Sequence, residues 1–147
     1  MDRPLNGRGF TLIETVLALS LLATLTYLAS FSLMGLAAKY HLEKAVWDVR
    51  AALSAARARA ILDETRFRVR FWPDHVLLER YDEAAGAWRS DASTWIEDAV
   101  IEANNAPVFS PEGTVANLAT IIVSNSWSGY KLTLAITGRI KTVRLPS

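Results

Sequence analysis

The sequence predicts an α+β fold in which one long N-terminal helix packs against antiparallel β-sheet. Three observations lead to this expectation. Residues 15–38 form an uncharged, mostly apolar segment near the N-terminus. A helical stripe of apolar residues follows this segment directly. The remainder of the chain consists largely of short segments with strand-like composition that are separated by turn residues.

The uncharged segment is long enough to cross a membrane as a helix. Its 24 residues span about 36 Å at the helical rise, and a hydrocarbon core is about 30 Å thick. We expect its Ser and Thr hydroxyls to donate to carbonyls one turn earlier, which makes them tolerable in lipid. The alternative is a cleaved signal peptide with a small-x-small site at Gly35-Leu36-Ala37. The length of the segment and the acid Glu14 at its edge argue against that alternative.

The helix is predicted to continue beyond this segment to residue 61 or 62. Apolar residues recur there at spacings of four and three, as they do on one face of a helix. Alanines in the second half would let a sheet approach closely, and Asp63-Glu64 ends the helix. The residues of the stripe are Leu42, Val46, Val49, Leu53, Ala56 and Ala60.

Strands are predicted from residue 65 onward. Residues 65–72 alternate strictly, which places Phe67, Val69 and Phe71 on the inward face. Gly86 marks a later turn. The further predicted strands are residues 76–81, 98–103 and 121–123, with residues 130–136 and 139–145 forming a hairpin across Thr137-Gly138.

Residues 9–14 carry the most informative motif of the chain. They read Gly-Phe-Thr-Leu-Ile-Glu, follow a short basic leader and lead directly into the apolar segment. This arrangement resembles the type IV prepilin signature, which pilins share with the pseudopilins of type II secretion. The resemblance implies cleavage after Gly9 by a prepilin peptidase and N-methylation of the new N-terminus at Phe10. Glu14 would then be the fifth residue of the mature chain.

The position of Glu14 fits this resemblance on physical grounds. A carboxylate in the membrane costs about 2.5–3.5 kcal/mol or more, so an acid there needs a partner. In a helical stack of such subunits, the positive N-terminus of one chain can lie beside Glu14 of its neighbour. In a low dielectric this attraction is strong enough to fix the axial register. The alternative is a Glu14 that only reaches the lipid headgroups.

Three later segments narrow the resemblance to the GspH/FimT family of minor pseudopilins. Residues 53–61 resemble the end of that family's helix. Residues 109–113, Phe-Ser-Pro-Glu-Gly, resemble its F-x-P-x-G turn, and residues 130–134 with 138–140 resemble its final hairpin. The resemblance covers nearly the whole chain apart from residues 82–106, and it implies a type IV pilin-like fold.

The sequence offers little support for an enzyme. The chain contains no cysteine, so it has neither a disulfide nor a zinc-thiolate framework. His41 and His75 lack a partner at ligand spacing, and the serines at positions 124, 126 and 128 lack nucleophile-elbow spacing. No glycine-rich phosphate loop follows a strand. We therefore expect no catalytic residue, no metal and no cofactor.

Two exposed features admit both a structural and an interaction role. Arg66, Arg68 and Arg70 share one face of a predicted strand, which is either a solvated face or a charged contact with the next subunit. Trp127 and Tyr130 flank Ser128-Gly129. They either pack on the sheet or form a protein-contact patch, since aromatic residues are favoured in interface cores.

A basic C-terminal hairpin carries the second candidate function. Residues 113–147 contain no acid, and residues 138–141 read Gly-Arg-Ile-Lys. This segment resembles the G-R-x-R element that some FimT-type minor pilins use in DNA uptake, with Lys141 in place of the last Arg. Lys pairs with phosphate as a point charge and lacks the bidentate fork of Arg. We expect Arg139 and Lys141 on one strand face and Arg144 on the other, with a solvated hairpin as the alternative.

Together these features predict a leader peptide at residues 1–9, a transmembrane and filament-core helix at residues 10–38, and a periplasmic domain at residues 39–147. The expected function is that of a minor pseudopilin of a type II secretion system, a structural tip or initiation subunit of the pseudopilus. The alternative is a FimT-like minor pilin of a type IV pilus that binds DNA. The expected partners are other pseudopilins or pilins, the prepilin peptidase and the inner-membrane assembly platform. The chain is expected to cross the inner membrane once.

Overall fold

The computed structural model describes residues 11–146, except for the side chains of residues 30–35. The predicted leader at residues 1–9, which includes Gly9, and Phe10 therefore lie outside the described residues. The first element is helix α1, Leu12–Leu62, and its end confirms the predicted boundary at residue 61 or 62. The chain divides into two compact units, with the boundary between Leu36 and Ala37.

Both ends of α1 have identifiable local causes. At its start, the Thr11 carbonyl oxygen accepts hydrogen bonds from the backbone N–H groups of Glu14 at 3.0 Å and Thr15 at 3.2 Å. The Thr11 hydroxyl oxygen lies 3.4 Å from the same Glu14 nitrogen, as in an N-cap. At its end, Glu64 adopts a left-handed backbone with φ of 49°, which turns the chain out of the helix.

The first unit contains the N-terminal part of α1. Residues Leu12–Ala29 are long and apolar enough to form a candidate membrane anchor, and none of that window is buried. The Thr15 hydroxyl donates to the Leu12 carbonyl oxygen, and the Thr24 hydroxyl donates to the Ser20 carbonyl oxygen, both at 2.8 Å. The expected back-bonding is therefore confirmed at these positions, whereas Ser30 and Ser32 lie outside the described side chains.

The second unit combines the rest of α1 with two antiparallel sheets. The strands are β1 Phe67–Phe71, β2 His75–Asp82, β3 Ala87–Trp95, β4 Val100–Ala103, β5 Val108–Phe109, β6 Val115–Ala116, β7 Thr120–Ser124, β8 Gly129–Leu134 and β9 Ile140–Arg144. One sheet has five strands in the order β3-β2-β1-β5-β6, and the other has four in the order β4-β7-β8-β9. The α+β class is confirmed, with two sheets around the helix.

The core lies between α1 and the inner faces of both sheets. All six residues of the predicted helical stripe are buried, with exposures of 7% or less. Phe67 and Phe109 from the five-stranded sheet and Ile121 and Leu132 from the four-stranded sheet belong to the same buried cluster. Burying each large apolar side chain contributes about 1.5–3 kcal/mol. The stripe therefore fixes which side of α1 the sheets cover.

Strand β3 was not predicted from the sequence. Its residues are mostly exposed and polar, including Ser90, Asp91 and Ser93, so they show no apolar alternation. It is an edge strand of its sheet and pairs with β2, with a register shift between Leu78 and Glu79. An edge strand held by main-chain hydrogen bonds needs little side-chain burial, and this is why the sequence pattern gave no signal.

The predicted starts of two strands were wrong, and both errors change where charged residues lie. The strand predicted at residues 98–103 begins at Val100, because Asp98 adopts a positive φ of 54°. The last strand begins at Ile140, so Arg139 belongs to the preceding turn and not to the strand. Gly138 has a φ of 78° in that turn, which is a conformation that glycine tolerates well.

Candidate functional site

The exposed start of α1 is the first candidate site. Glu14 lies in the first helical turn, where an acidic side chain also complements the helix dipole. Its neighbours Leu12, Ile13 and Leu17 are exposed long apolar side chains. Such an exposed apolar surface makes this part of α1 a candidate membrane anchor. Cleavage at Gly9 and methylation of Phe10 concern residues outside the described part of the chain.

Arg66, which directly precedes β1, and Arg68 and Arg70 within β1 are engaged with aromatic rings. The guanidinium carbon of Arg66 lies 4.1 Å from the centre of the Tyr81 ring. Arg68 lies 4.4 Å from the Trp88 ring centre, and Arg70 lies 5.2 Å from that of Trp72. These are cation–π distances. The expected common face is present, and it is an organised ladder of Arg–aromatic pairs.

A buried carboxylate completes this ladder. Glu79 is opposite Arg68 in the register of β1 and β2, and its residue exposure is only 7%. Arg68 Nε donates to Glu79 Oε2 at 2.6 Å, and Arg70 Nη1 lies 3.9 Å from Glu79 Oε1. Because two of the three cations share this internal acid, the ladder has less charge to offer a partner than the sequence suggested. The geometry favours a structural role.

The basic hairpin places three cations together. Arg139 in the turn and Lys141 in β9 line one surface depression. Across the hairpin, Lys141 lies opposite Thr133, and Val143 lies opposite Lys131. Because Lys141 and Val143 are two residues apart on β9, the Lys131 side chain lies on the same face as that of Lys141. Among the described residues, Lys131, Arg139 and Lys141 form no ion pair. Lys131 was not predicted, because its placement depends on the strand register.

Arg144 lies apart from these cations. It is paired with Tyr130 across the hairpin, on the face opposite Lys141, as alternation predicts. Its Nε lies 3.4 Å from the Ser128 hydroxyl oxygen. The hairpin therefore presents a small cluster of three bases, and Arg144 does not enlarge it.

The histidines sit in aromatic and acidic surroundings. His75 Nδ1 lies 2.7 Å from Asp74 Oδ1, and its ring centre is 4.8 Å from that of Trp95 and 5.8 Å from that of Trp72. His41 Nδ1 lies 3.6 Å from Asp98 Oδ2. Within residues 11–146, no group of three or more His, Asp or Glu side chains is placed to hold a metal ion.

The three segments of the second unit that resemble the family in sequence meet at Arg57. Its Nε donates to the Gly113 carbonyl oxygen at 3.1 Å, which joins the helix end to the turn between β5 and β6. A Cβ atom added to Gly138 would lie 2.9 Å from Arg57 Cδ, so the last hairpin turn also packs on this side chain. In the β5–β6 turn, the Ser110 hydroxyl and the backbone N–H of Glu112 lower the pKa of the Glu112 carboxyl.

Trp127 and Tyr130 have different environments. Tyr130 is half-buried and packs against the core, whereas Trp127 is 63% exposed in the loop between β7 and β8. Asn125 shapes that loop, because its Oδ1 accepts the N–H groups of Trp127 at 3.0 Å and Ser128 at 3.2 Å. Only Tyr130 fulfils the packing role that was considered for the pair.

The structure is similar to solved subunits of secretion and pilus filaments. The minor pseudopilin EpsH from the type 2 secretion system of Vibrio cholerae matches with a TM-score of 0.60 at 13% identity, over 71% of this chain and 97% of that chain. The type IV minor pilin FimU of Pseudomonas aeruginosa matches with a TM-score of 0.58 at 16% identity, over 70% of this chain and 88% of that chain.

The pseudopilin and the pilin match about equally well, and at these identities the likeness concerns the fold. No protein-family model and no curated protein matches the sequence. The matched proteins are structural subunits of filaments, which is compatible with a role outside catalysis. The chain therefore has the type IV pilin-like fold of minor pseudopilins and minor pilins, with an N-terminal apolar helix and antiparallel sheets.

Proposed function

We propose that this protein is a minor pseudopilin of a type II secretion system, a structural subunit that helps to start the pseudopilus at its tip. The observation that carries this proposal is the exposed apolar helix with Glu14 in its first turn, attached to a pilin-like domain. Such a helix needs apolar surroundings in every state of the protein. A membrane supplies them before assembly, and a bundle of like helices supplies them in a filament.

The chain is proposed to be processed before it assembles. A prepilin peptidase would cut after Gly9, and the new N-terminus at Phe10 would be methylated. Cleavage removes Asp2, Arg3 and Arg8, which leaves equal numbers of acidic and basic side chains. More importantly, it creates a positive amine four residues before Glu14. This amine is the charge that Glu14 of a neighbouring subunit would pair with.

Pairing of Glu14 with that amine would determine the axial position of the incoming subunit. The start of α1 is fixed by Thr11, so the carboxylate has a defined place in the first turn. An unpaired carboxylate in the membrane costs about 2.5–3.5 kcal/mol or more. A neighbour's amine relieves this cost at one register only. The inner-membrane assembly platform would act on the subunits that this pairing holds together.

The proposed location follows from the same helix. The apolar segment would cross the inner membrane once, with the domain that follows it in the periplasm. The absence of cysteine from the sequence means that this domain relies on its core for stability. The proposed role is structural and not enzymatic.

A type IV minor pilin that binds DNA is the second candidate. The observation that favours it is the cluster of Lys131, Arg139 and Lys141 without described ion-pair partners. Three phosphate contacts give only weak, salt-sensitive binding. Lys141 also replaces the forked Arg of the related element. We therefore place this candidate second.

Deleting the gene for this protein from its host distinguishes the two candidate functions. We expect loss of protein secretion through the type II system, with restoration by the wild-type chain. The matched measurements are surface piliation and uptake of DNA in the same strain. Intact secretion together with lost piliation or DNA uptake would contradict the first proposal and support the second.

A further inference from the structure

The second unit carries two exposed aromatic side chains at the end that directly follows the apolar segment. Trp127 is 63% exposed, and Tyr40 on α1 is 65% exposed. Asn125 connects their two elements, because its Nδ2 donates to the Ala38 carbonyl oxygen at 2.9 Å. Its Oδ1 accepts the N–H of Trp127 at 3.0 Å. A single side chain therefore holds the Trp127 loop at the first helical turn of the unit.

This turn coincides with the end of the uncharged part of the sequence. Residues 15–38 carry no charge, and Lys39 is the first charged residue after them. If residues 15–38 lie in lipid, Ala38 lies at the boundary between the hydrocarbon and the headgroups. Trp and Tyr are enriched at that depth, because their rings are apolar and their N–H or O–H groups find polar partners there.

We propose that the β7–β8 loop, residues 125–128, rests on the surface of the bilayer before assembly, with Trp127 inserted at the level of the headgroups. Exposed Val100 lies on the same side, since it pairs with Ser124 at the edge of this loop. The occupant of this surface is a lipid bilayer. The inference rests on the proposed membrane insertion of the apolar helix.

The nearby charges indicate that aromatic burial, and not attraction to acidic lipids, holds the loop. Asp98 and Ser126 line the same depression as Ala38. Lys39 lies 3.9 Å from Glu43, and His41 lies 3.6 Å from Asp98. Lys39 and His41 at this end therefore already have acidic neighbours. We expect the contact to form on neutral lipid and to be insensitive to salt.

The cysteine-free sequence allows a direct test on the full chain. Ser126→Cys and Leu62→Cys each receive one environment-sensitive fluorophore, and the protein is reconstituted in phosphatidylcholine vesicles with quenchers at the acyl–headgroup boundary. Leu62 is the matched control, because it is 79% exposed and ends the same helix 24 residues beyond Ala38. We expect quenching at position 126, none at position 62, and loss of quenching when Trp127→Ser is added to Ser126→Cys.

Three results would overturn the inference and separate it from the proposed function. A position 126 that stays unquenched in vesicles into which the protein has inserted would show that the loop does not rest on the bilayer. Equal quenching at both positions would show no preferred face, and quenching that persists in Trp127→Ser would remove the aromatic anchor. A protein that fails to insert in the vesicles would instead contradict the proposed membrane insertion, and with it both claims.

Discussion

Arg57 Nε donates a hydrogen bond to the Gly113 carbonyl oxygen at 3.1 Å, across 56 residues of sequence. This contact joins the end of α1 to the turn between β5 and β6. The same side chain packs against Gly138 in the last hairpin turn. Three segments that resemble one family in the sequence therefore meet at a single arginine. These three segments, which are far apart in the sequence, therefore form one structural junction around Arg57.

Gly138→Ala should destabilise the protein more than Gly86→Ala. Both glycines have positive φ, of 78° and 61°, so each alanine costs about 1–2 kcal/mol for its backbone. A Cβ at Gly138 would also lie 2.9 Å from Arg57 Cδ, whereas one at Gly86 meets nothing within 4 Å. Displacing Arg57 adds about 1 kcal/mol through its lost hydrogen bond. Denaturant unfolding of both variants measures the difference, and equal losses would contradict the packing role of Arg57.

The carboxyl of Glu112 should report on the β5–β6 turn. The Ser110 hydroxyl is the main cause that lowers its pKa below the ordinary value of 4.5, followed by its own backbone N–H. Because the pKa of Glu112 is lower in the folded state than in the unfolded state, its ionised carboxyl stabilises the fold above pH 4.5. This stabilisation is lost as the pH falls through the folded-state pKa. Ser110→Ala should move the pKa upward, as NMR titration of the side chain would detect. An unchanged pKa would contradict this cause.

Processing should depend on Gly9 and not on the other leader glycine. We expect the mature protein to begin at N-methylated Phe10, because the peptidase must approach the backbone at the cleavage site. Gly9→Leu should block cleavage, whereas Gly7→Leu in the same leader should be cut normally. Intact mass of the membrane-extracted protein provides the measurement. A wild-type chain that begins at Ala38, or that keeps Met1–Gly9, would disprove the assignment.

DNA binding by the hairpin should be weak at most. Two or three phosphate contacts predict a slope of log K against log salt of about −2 to −3, and little binding at physiological salt. Arg139→Ala with Lys141→Ala should remove any binding that low salt reveals. Lys44→Ala with Arg50→Ala, two exposed cations of α1, is the charge-matched control. Tight binding in physiological salt that only the hairpin variant loses would make DNA uptake the first candidate.

The sequence predicted those parts of the fold that depend on local pattern. The α1 stripe and strands β1 and β2 are visible because their buried residues recur at helix or strand spacing. Strand β3 was missed, since an exposed edge strand buries too few side chains to leave such a pattern. The Glu79 pairing of the Arg ladder and the position of Lys131 were also missed. Both depend on which residues lie opposite each other across strands, and a single sequence does not display that register.

The role of Glu14 in assembly is the central claim, and filament incorporation of Glu14→Ala tests it most directly. The variant should stay in the membrane, because removing an acid from an apolar helix saves about 2.5–3.5 kcal/mol. Its fraction in crosslinked or sheared filaments should fall strongly beside that of the wild type. Glu83→Ala, an exposed acid in the β2–β3 turn, should assemble normally. Normal incorporation of Glu14→Ala would contradict the account, because the carboxylate would then only reach the headgroups and would have no part in subunit register.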